Sequence, residues 1–109
     1  MINFYTCYNL QETEKYWLKL GLTLFMRQPN CIILDSKEGQ IGFLESTSHQ
    51  PPIYSCISFT RDSKEEIDIL YNKYKDIAYT SPKIHQSAPV YSFFMKDPNG
   101  LKVEFQTFI

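Results

Sequence analysis

The stretch FFMKDPNGLKVEF, residues 93–105, predicts a β-hairpin. Its centre, Asp97-Pro98-Asn99-Gly100, is a turn sequence, because Pro fixes φ, Asp and Asn bond to nearby backbone, and Gly accepts a positive φ. The flanking residues are rich in aromatic and β-branched side chains, which is typical of strands. The two predicted strands are residues 90–96 and 101–107.

Upstream of this hairpin, the sequence predicts a strand, a helix and a further short strand. Residues 53–60 form the strand, and residues 83–85 form the short one. Between them, Ser63-Lys64-Glu65-Glu66 has the S-x-x-E form of a capping box, which marks a helix start. The apolar face of this helix consists of Ile67, Leu70, Tyr71 and Tyr74.

The first half of the chain repeats this order. Residues 2–8 are a predicted strand, and Asn9 is a good N-cap for a helix over residues 10–20, with Glu12 three residues on. Predicted strands follow at residues 22–26, 31–35 and 40–45. A polar stretch, residues 47–52, ends in Pro51-Pro52 and fits neither a helix nor a central strand.

The two halves together form an internal repeat of supersecondary units. Each half runs strand, helix and three strands, so we predict an α+β fold of two βαβββ modules. Module one covers about residues 1–46, the linker 47–52, and module two about 53–109. A ferredoxin-like βαββαβ fold is the simpler alternative, but it needs only two strands between the helices, whereas four are predicted.

Length, charge and cysteine content limit the class of protein. A chain of 109 residues is the size of one domain. With 11 basic and 12 acidic side chains, a net charge of −1 argues against a nucleic-acid or membrane partner. The N-terminus does not resemble a signal peptide. Three widely spaced cysteines without a CxxC pair favour a reduced, cytoplasmic protein in which they are packing residues.

Three stretches resemble the vicinal oxygen chelate superfamily, also called the glyoxalase/bleomycin resistance protein/dioxygenase family. They are residues 8–17 followed by Leu20-Gly21-Leu22, Ile57-Ser58-Phe59 before the second helix, and residues 93–105 with Glu104 on the closing strand. The resemblance covers nearly the whole chain. It implies that the modules form a curled mixed sheet around a cup, with the helices on the outer face, and that the chain is a homodimer.

In metal-dependent members of that family, strand positions in the cup hold a divalent ion, usually through His and Glu. The resemblance places Ile2 and Gly42 at these positions in module one, and Cys56 (or Tyr54) and Glu104 in module two. Ile and Gly have no donor atom, and a catalytic zinc normally takes three protein ligands. His49 and His85 fall outside the pattern and are interpreted as surface or rim residues. We therefore expect no metal and no cofactor.

Strand alternation extends these positions to a set of residues facing the cup. Besides Ile2, Gly42 and Lys102, the candidate ligand-binding residues are Phe4, Thr6, Leu44, Tyr54, Cys56, Ser58, Phe93, Glu104 and Gln106. Phe93 is ambiguous, because a register shift of one residue would replace it with Phe94. The opposite face is predicted to pack under the helices: Tyr5, Cys7, Ile41, Phe43, Ile57, Phe59, Leu101, Val103 and Phe105.

Three functions are compatible with this pattern. A mixed apolar and polar concavity favours a metal-free small-molecule-binding protein, with Phe4 and Tyr54 contacting an aromatic or cationic ligand. The second hypothesis is a lyase, isomerase or dioxygenase of the superfamily with an atypical site, in which Glu104 is the only catalytic candidate. The third is a structural or regulatory dimer with a vestigial, partly collapsed cup.

Overall fold

The computed structural model describes residues 1–87 and 89–109 and contains two successive βαβββ modules. The first consists of β1 (Ile2–Cys7), α1 (Leu10–Lys19), β2 (Thr23–Gln28), β3 (Cys31–Ser36) and β4 (Gly39–Glu45). The second consists of β5 (Cys56–Thr60), α2 (Lys64–Tyr74), β6 (Lys83–His85), β7 (Val90–Lys96) and β8 (Lys102–Phe108). The predicted α+β class and the βαβββ repeat are confirmed.

The chain divides into two compact units that do not follow the sequence order strictly. The first unit contains Met1–Pro52 and also Asp97–Gly100, and the second contains Ile53–Lys96 and Leu101–Ile109. The turn of the closing hairpin is therefore part of the first unit, although both strands of the hairpin belong to the second.

Each unit has a four-stranded mixed sheet with the same topology. The strand orders are β1-β4-β3-β2 and β5-β8-β7-β6, with the first pair of each sheet parallel and the others antiparallel. The register repeats as well. Phe4 of β1 pairs with Gly42 of β4, and in the same way Ser58 of β5 pairs with Glu104 of β8. The repeat thus places Phe4 and Ser58 at equivalent positions, and likewise Gly42 and Glu104.

Both helices begin at the caps that the sequence indicates. Asn9 Oδ1 accepts a hydrogen bond from the backbone N–H of Glu12 at 2.9 Å, and Ser63 Oγ accepts one from Glu66 at 3.2 Å. These bonds satisfy N–H groups that the first helical turn leaves without partners. Within the described part of the chain, no helix is long and apolar enough to cross a membrane.

Each helix packs on one face of its own sheet. In the first unit, the buried Trp17 ring of α1 lies 5.7 Å from the ring of Phe43. In the second unit, Tyr74 of α2 stacks on Phe105 at 6.0 Å, and Tyr71 contacts Phe93 edge-on at 5.4 Å. The residues predicted to pack under the helices are all buried or half-buried. We call the face of each sheet opposite its helix the open face.

Two predicted strands differ from the structure by more than one residue at one end. The fifth strand begins at Cys56 rather than at residue 53, because no sheet pairing includes the residues that follow Pro51-Pro52. The second strand runs over Thr23–Gln28 instead of residues 22–26, since an edge strand with a bulge tolerates the polar Arg27 and Gln28.

Candidate functional site

The open face of the second sheet carries most of the polar residues predicted to face the cup. Directly paired residues share a face, and the pairing joins Ser58 to Glu104 and Glu104 to Phe94. The next row joins Cys56 to Lys102 and Lys102 to Lys96. Residues on this open face include Cys56, Ser58, Lys102, Glu104 and Gln106, as predicted from strand alternation, together with Phe94 and Lys96.

Phe93 is not on this face. The antiparallel register of β7 and β8 pairs Phe94 with Glu104 and Phe93 with Phe105. Phe93 is 0% exposed and packs against Tyr71 of α2. The placement of Phe93 on the cup-facing side is therefore wrong, and Phe94, the alternative left by the register, lies on the open face.

Tyr54 also does not reach the sheet. It precedes β5 in a bend and is 97% exposed. A residue outside the ladder does not follow strand alternation, so the assignment of Tyr54 to the cup-facing side of a strand is wrong. Within the second unit, the aromatic surface on the open face comes from Phe94 and the rings next to it, Tyr79 and His85.

The carboxylate of Glu104 has a defined hydrogen-bond donor. The Ser58 hydroxyl donates to Glu104 Oε1 at 2.8 Å, and Glu104 is half-buried. This bond fixes the carboxylate on its β5 side, while Phe94 is the residue paired with Glu104 on the β7 side. A carboxylate is an acceptor for several hydrogen bonds, so Glu104 retains the capacity to bind further donors.

Aromatic rings and ammonium groups surround Phe94. Its ring lies 6.3 Å from that of Tyr79 and 5.8 Å from that of His85, measured between centroids. Lys102 Nζ is 5.5 Å from the centre of the Phe94 ring. Lys96 Nζ is at the same distance, 5.5 Å, from the Tyr79 ring. This cluster combines a flat apolar surface with both signs of charge, which suits an aromatic ligand.

The Cys56 thiol on this face is held in its neutral form. Although the residue as a whole is exposed, loss of water around the sulfur raises its pKa to about 11, and the Glu104 carboxylate raises it further than Lys102 lowers it. Thiolate is the form that acts as a nucleophile or binds metals. At neutral pH this cysteine supplies neither.

The open face of the first sheet is apolar where the second is polar. Gly42 carries no side chain, and the ring of Phe4 occupies the space that a Cβ at this position would need. Phe4 is 54% exposed, so the other side of its ring is available to solvent. Thr6 and Leu44 pair directly on the same face. Where the second module has a serine–glutamate pair, the first has a phenylalanine lying on a glycine.

His49 was predicted to be a surface residue, and this is wrong. It is only 6% exposed and packs edge-on against Tyr8 at 4.4 Å between ring centroids. Its Nε2 lies 2.9 Å from the carbonyl oxygen of Asn99 and its Nδ1 lies 2.6 Å from Thr6 Oγ1. Because a carbonyl only accepts, Nε2 donates to Asn99, and Nδ1 shares the second hydrogen bond with the Thr6 hydroxyl.

Asn99 of the hairpin turn completes this buried network. Its Oδ1 accepts from the backbone N–H of Tyr8 at 2.9 Å, and its Nδ2 donates to Thr13 Oγ1 at 3.1 Å and to Asp97 Oδ2 at 3.0 Å. Asp97 Oδ2 also accepts from the indole N–H of Trp17 at 3.1 Å. These bonds explain why the turn belongs to the first unit. In the sequence, the Asp97-Pro98-Asn99-Gly100 motif indicated a turn but not these long-range partners.

The residues at the metal-ligand positions of the resemblance do not fit a metal ion. Ile2 and Gly42 offer no donor, and the Phe4 ring covers Gly42. The second module offers the neutral Cys56 thiol and the Glu104 carboxylate, which is one donor fewer than a catalytic zinc requires. Among the residues that the structure describes, no group of three or more His, Cys, Asp or Glu is placed to hold a metal.

A groove of about 430 Å³ lies in the first unit, away from the predicted face. It runs beside the start of α1, and its rim carries the exposed Arg27–Glu14 ion pair at 2.6 Å. The lining residues are Asn9, Leu10, Gln11, Glu14, Arg27, Gln28, Pro29, Ile32 and Glu45. The ion pair and the bond from the Leu10 N–H to Glu45 at 2.8 Å already satisfy its charged groups.

Comparisons with solved structures identify the fold. A glyoxalase/bleomycin resistance protein/dioxygenase from Alicyclobacillus acidocaldarius matches with a TM-score of 0.83 and 22% identity, over 100% of this chain and 90% of that one. A lactoylglutathione lyase from Agrobacterium tumefaciens matches with a TM-score of 0.79 and 15% identity, over 98% and 91%. A bleomycin resistance determinant encoded on the transposon Tn5 matches with a TM-score of 0.77 and 13% identity, over 99% and 96%.

The chain therefore has the glyoxalase/bleomycin resistance/dioxygenase fold, which is that of the vicinal oxygen chelate superfamily. The predicted resemblance is confirmed at the level of the fold. A scan against protein-family models finds no match, and a search of curated proteins finds none. Because one fold hosts many activities, function has to be argued from the site.

Proposed function

We propose that this chain is a metal-free small-molecule-binding protein of the glyoxalase/bleomycin-resistance type, which binds an aromatic or cationic ligand. One observation carries the proposal: on the open face of the second sheet, Glu104 accepts a hydrogen bond from Ser58 on one side and is paired with Phe94 on the other. A carboxylate binds an ammonium or hydroxyl group of a ligand, and the ring contacts its flat apolar part.

The chemistry of the donors supports binding rather than metal-assisted catalysis. The first module has a glycine covered by Phe4 where metal-dependent relatives would keep a ligand, and the thiol of the second module is neutral. A site that lacks a third metal ligand and a thiolate nucleophile can still bind a ligand through its carboxylate and its aromatic ring. The match to a protein named as a bleomycin resistance determinant supports the same class of function.

A thermal-shift and calorimetric screen over aromatic amines, antibiotics and 2-oxo compounds tests the proposal. A ligand at about 100 times its Kd stabilises the native state by about 2.7 kcal/mol, which raises Tm by roughly 12 °C for a chain of this length. Loss of a charge-assisted hydrogen bond in Glu104→Gln is expected to weaken binding by about 10- to 100-fold.

Two further variants make this test specific. Phe94→Leu removes the ring and keeps an apolar side chain, so it is expected to weaken binding of aromatic ligands. Glu65→Gln removes the same charge from an exposed position in α2 and is the matched control, with affinity unchanged. If no compound raises Tm, or if Glu104→Gln and Glu65→Gln bind equally well, the proposal is wrong.

The homodimer that the resemblance implies stays a prediction. β2 is an edge strand whose six residues are all exposed, including the apolar Leu24, Phe25 and Met26, and such an edge is available for association. Light scattering after size exclusion is expected to give twice the chain mass of 12.9 kDa. A mass equal to one chain at micromolar concentration would contradict it.

A further inference from the structure

Two lysines face each other on the open face of the second sheet. Lys96 of β7 is directly opposite Lys102 of β8. Directly opposite residues have Cβ atoms about 4.5–5.5 Å apart, and like charges at such positions destabilise a sheet. Within the described residues neither lysine forms an ion pair, and the neighbouring Glu104 carboxylate is bonded to Ser58. Among the described residues, these two adjacent positive charges thus have no carboxylate in ion-pair contact.

Aromatic rings hold both ammonium groups on this face. Lys96 Nζ lies over Tyr79 and Lys102 Nζ over Phe94, each 5.5 Å from the ring centre. The two rings are stacked with centroids 6.3 Å apart. The ammonium groups are therefore brought together beside a continuous aromatic surface. Both lysines remain exposed, so a ligand can approach them.

We infer that Lys96 and Lys102 bind the anionic group, a carboxylate or a phosphate, of an aromatic ligand whose ring packs against Phe94 and Tyr79. The inference rests on the proposed function and adds the class of ligand. An anion placed between the two ammonium groups replaces their repulsion by attraction, while Glu104 accepts a hydrogen bond from another group of the same ligand. The lysine pair, Phe94 and Glu104 lie on adjacent rows of one sheet, and Tyr79, which lies outside the strands, stacks on Phe94.

The test compares four probes that share a phenyl ring and differ in charge: 3-phenylpropionate, phenyl phosphate, 3-phenyl-1-propanol and phenethylamine. Isothermal calorimetry is expected to show at least tenfold tighter binding of one of the two anions than of the alcohol. Lys96→Met and Lys102→Met keep an apolar stem over the rings and remove the charge. Each is expected to weaken binding of the anion at least tenfold more than it weakens binding of the alcohol.

Lys83→Met is the matched control, because Lys83 lies on β6 opposite Ser92 and has no lysine across from it. It is expected to bind the anions as the unmodified protein does. The carboxylate and phosphate probes also distinguish the two kinds of anionic group, since the probe with the higher affinity shows which group the lysines prefer. If the anions and the alcohol bind equally well, the inference is wrong and the proposed function stands. If none of the four probes binds, the inference is wrong, and the wider ligand screen with its Glu104→Gln comparison decides the proposed function.

A measurement on the free protein tests the lysine pair independently. Removing one of two repelling charges is expected to raise the Tm of Lys96→Met and Lys102→Met at low salt. The gain is expected to shrink in concentrated salt, because salt screens exposed charges. A Tm that falls by the same amount at low and high salt contradicts the repulsion on which the inference depends.

Discussion

Replacing Asn99 with Ala is expected to destabilise the first unit strongly. The amide accepts a hydrogen bond from the Tyr8 N–H and donates to Thr13 and to the Asp97 carboxylate, and Asn99 is buried. A hydrogen bond contributes about 1 kcal/mol net, and one to a charged group about 1.5–3 kcal/mol. The three bonds together predict a loss of about 3.5 to 5 kcal/mol, a large fraction of the stability of a domain this size.

The chain provides its own probe for this experiment. Trp17 is its one tryptophan, is buried in the first unit, and donates its indole N–H to Asp97. Urea unfolding followed by Trp17 fluorescence therefore reports on the unit that the substitution affects. With a slope of about 2 kcal/mol per molar, the unfolding midpoint is expected to fall by roughly 1.8–2.5 M.

Asn3→Ala is the matched control, since Asn3 is exposed on β1. A surface substitution of this kind changes stability by about 0.5 kcal/mol or less. If Asn99→Ala lies within about 1 kcal/mol of Asn3→Ala, the buried network does not hold the hairpin turn in the first unit, and the reasoning is refuted.

Three further predictions concern the open faces. Gly42→Ala is expected to lower the free energy of unfolding by about 1 kcal/mol, because the new Cβ meets the Phe4 ring. Adding Phe4→Ala in the same chain should remove that loss, whereas additive effects of the two substitutions in urea unfolding would contradict the contact. Glu104→Gln is expected to speed alkylation of Cys56 by iodoacetamide at pH 8.5, measured by peptide mass spectrometry, because the carboxylate raises the thiol pKa; an unchanged rate would exclude that coupling. The free energy of unfolding is expected to fall as the pH rises from 9 to 11. The native Cys56 pKa of about 11 exceeds its ordinary value of 9.0, so its contribution is complete below pH 9 and is lost through pH 11. Cys56→Ser, which has no thiol to titrate, should show a shallower fall, and parallel curves would contradict this.

The sequence determined the elements, their order and most of the face assignments. Asn9 and Ser63 mark helix starts through bonds to residues three positions away, and alternation along strands separates Glu104 from Phe105. These signals depend on neighbours in the sequence. The repeat of such signals in two halves was enough to predict the fold.

Tertiary structure alone decided which side chains meet. Strand alternation could not choose between Phe93 and Phe94, because the pairing register depends on how the hairpin turn is built. His49 looked like a residue of a polar linker, and only the return of Asn99, fifty positions later, gives its ring a partner and buries it. Phe4 on Gly42, and Lys96 opposite Lys102, likewise join residues from different strands. Local chemistry thus specifies the strands and helices, whereas the site depends on long-range pairing that packing selects.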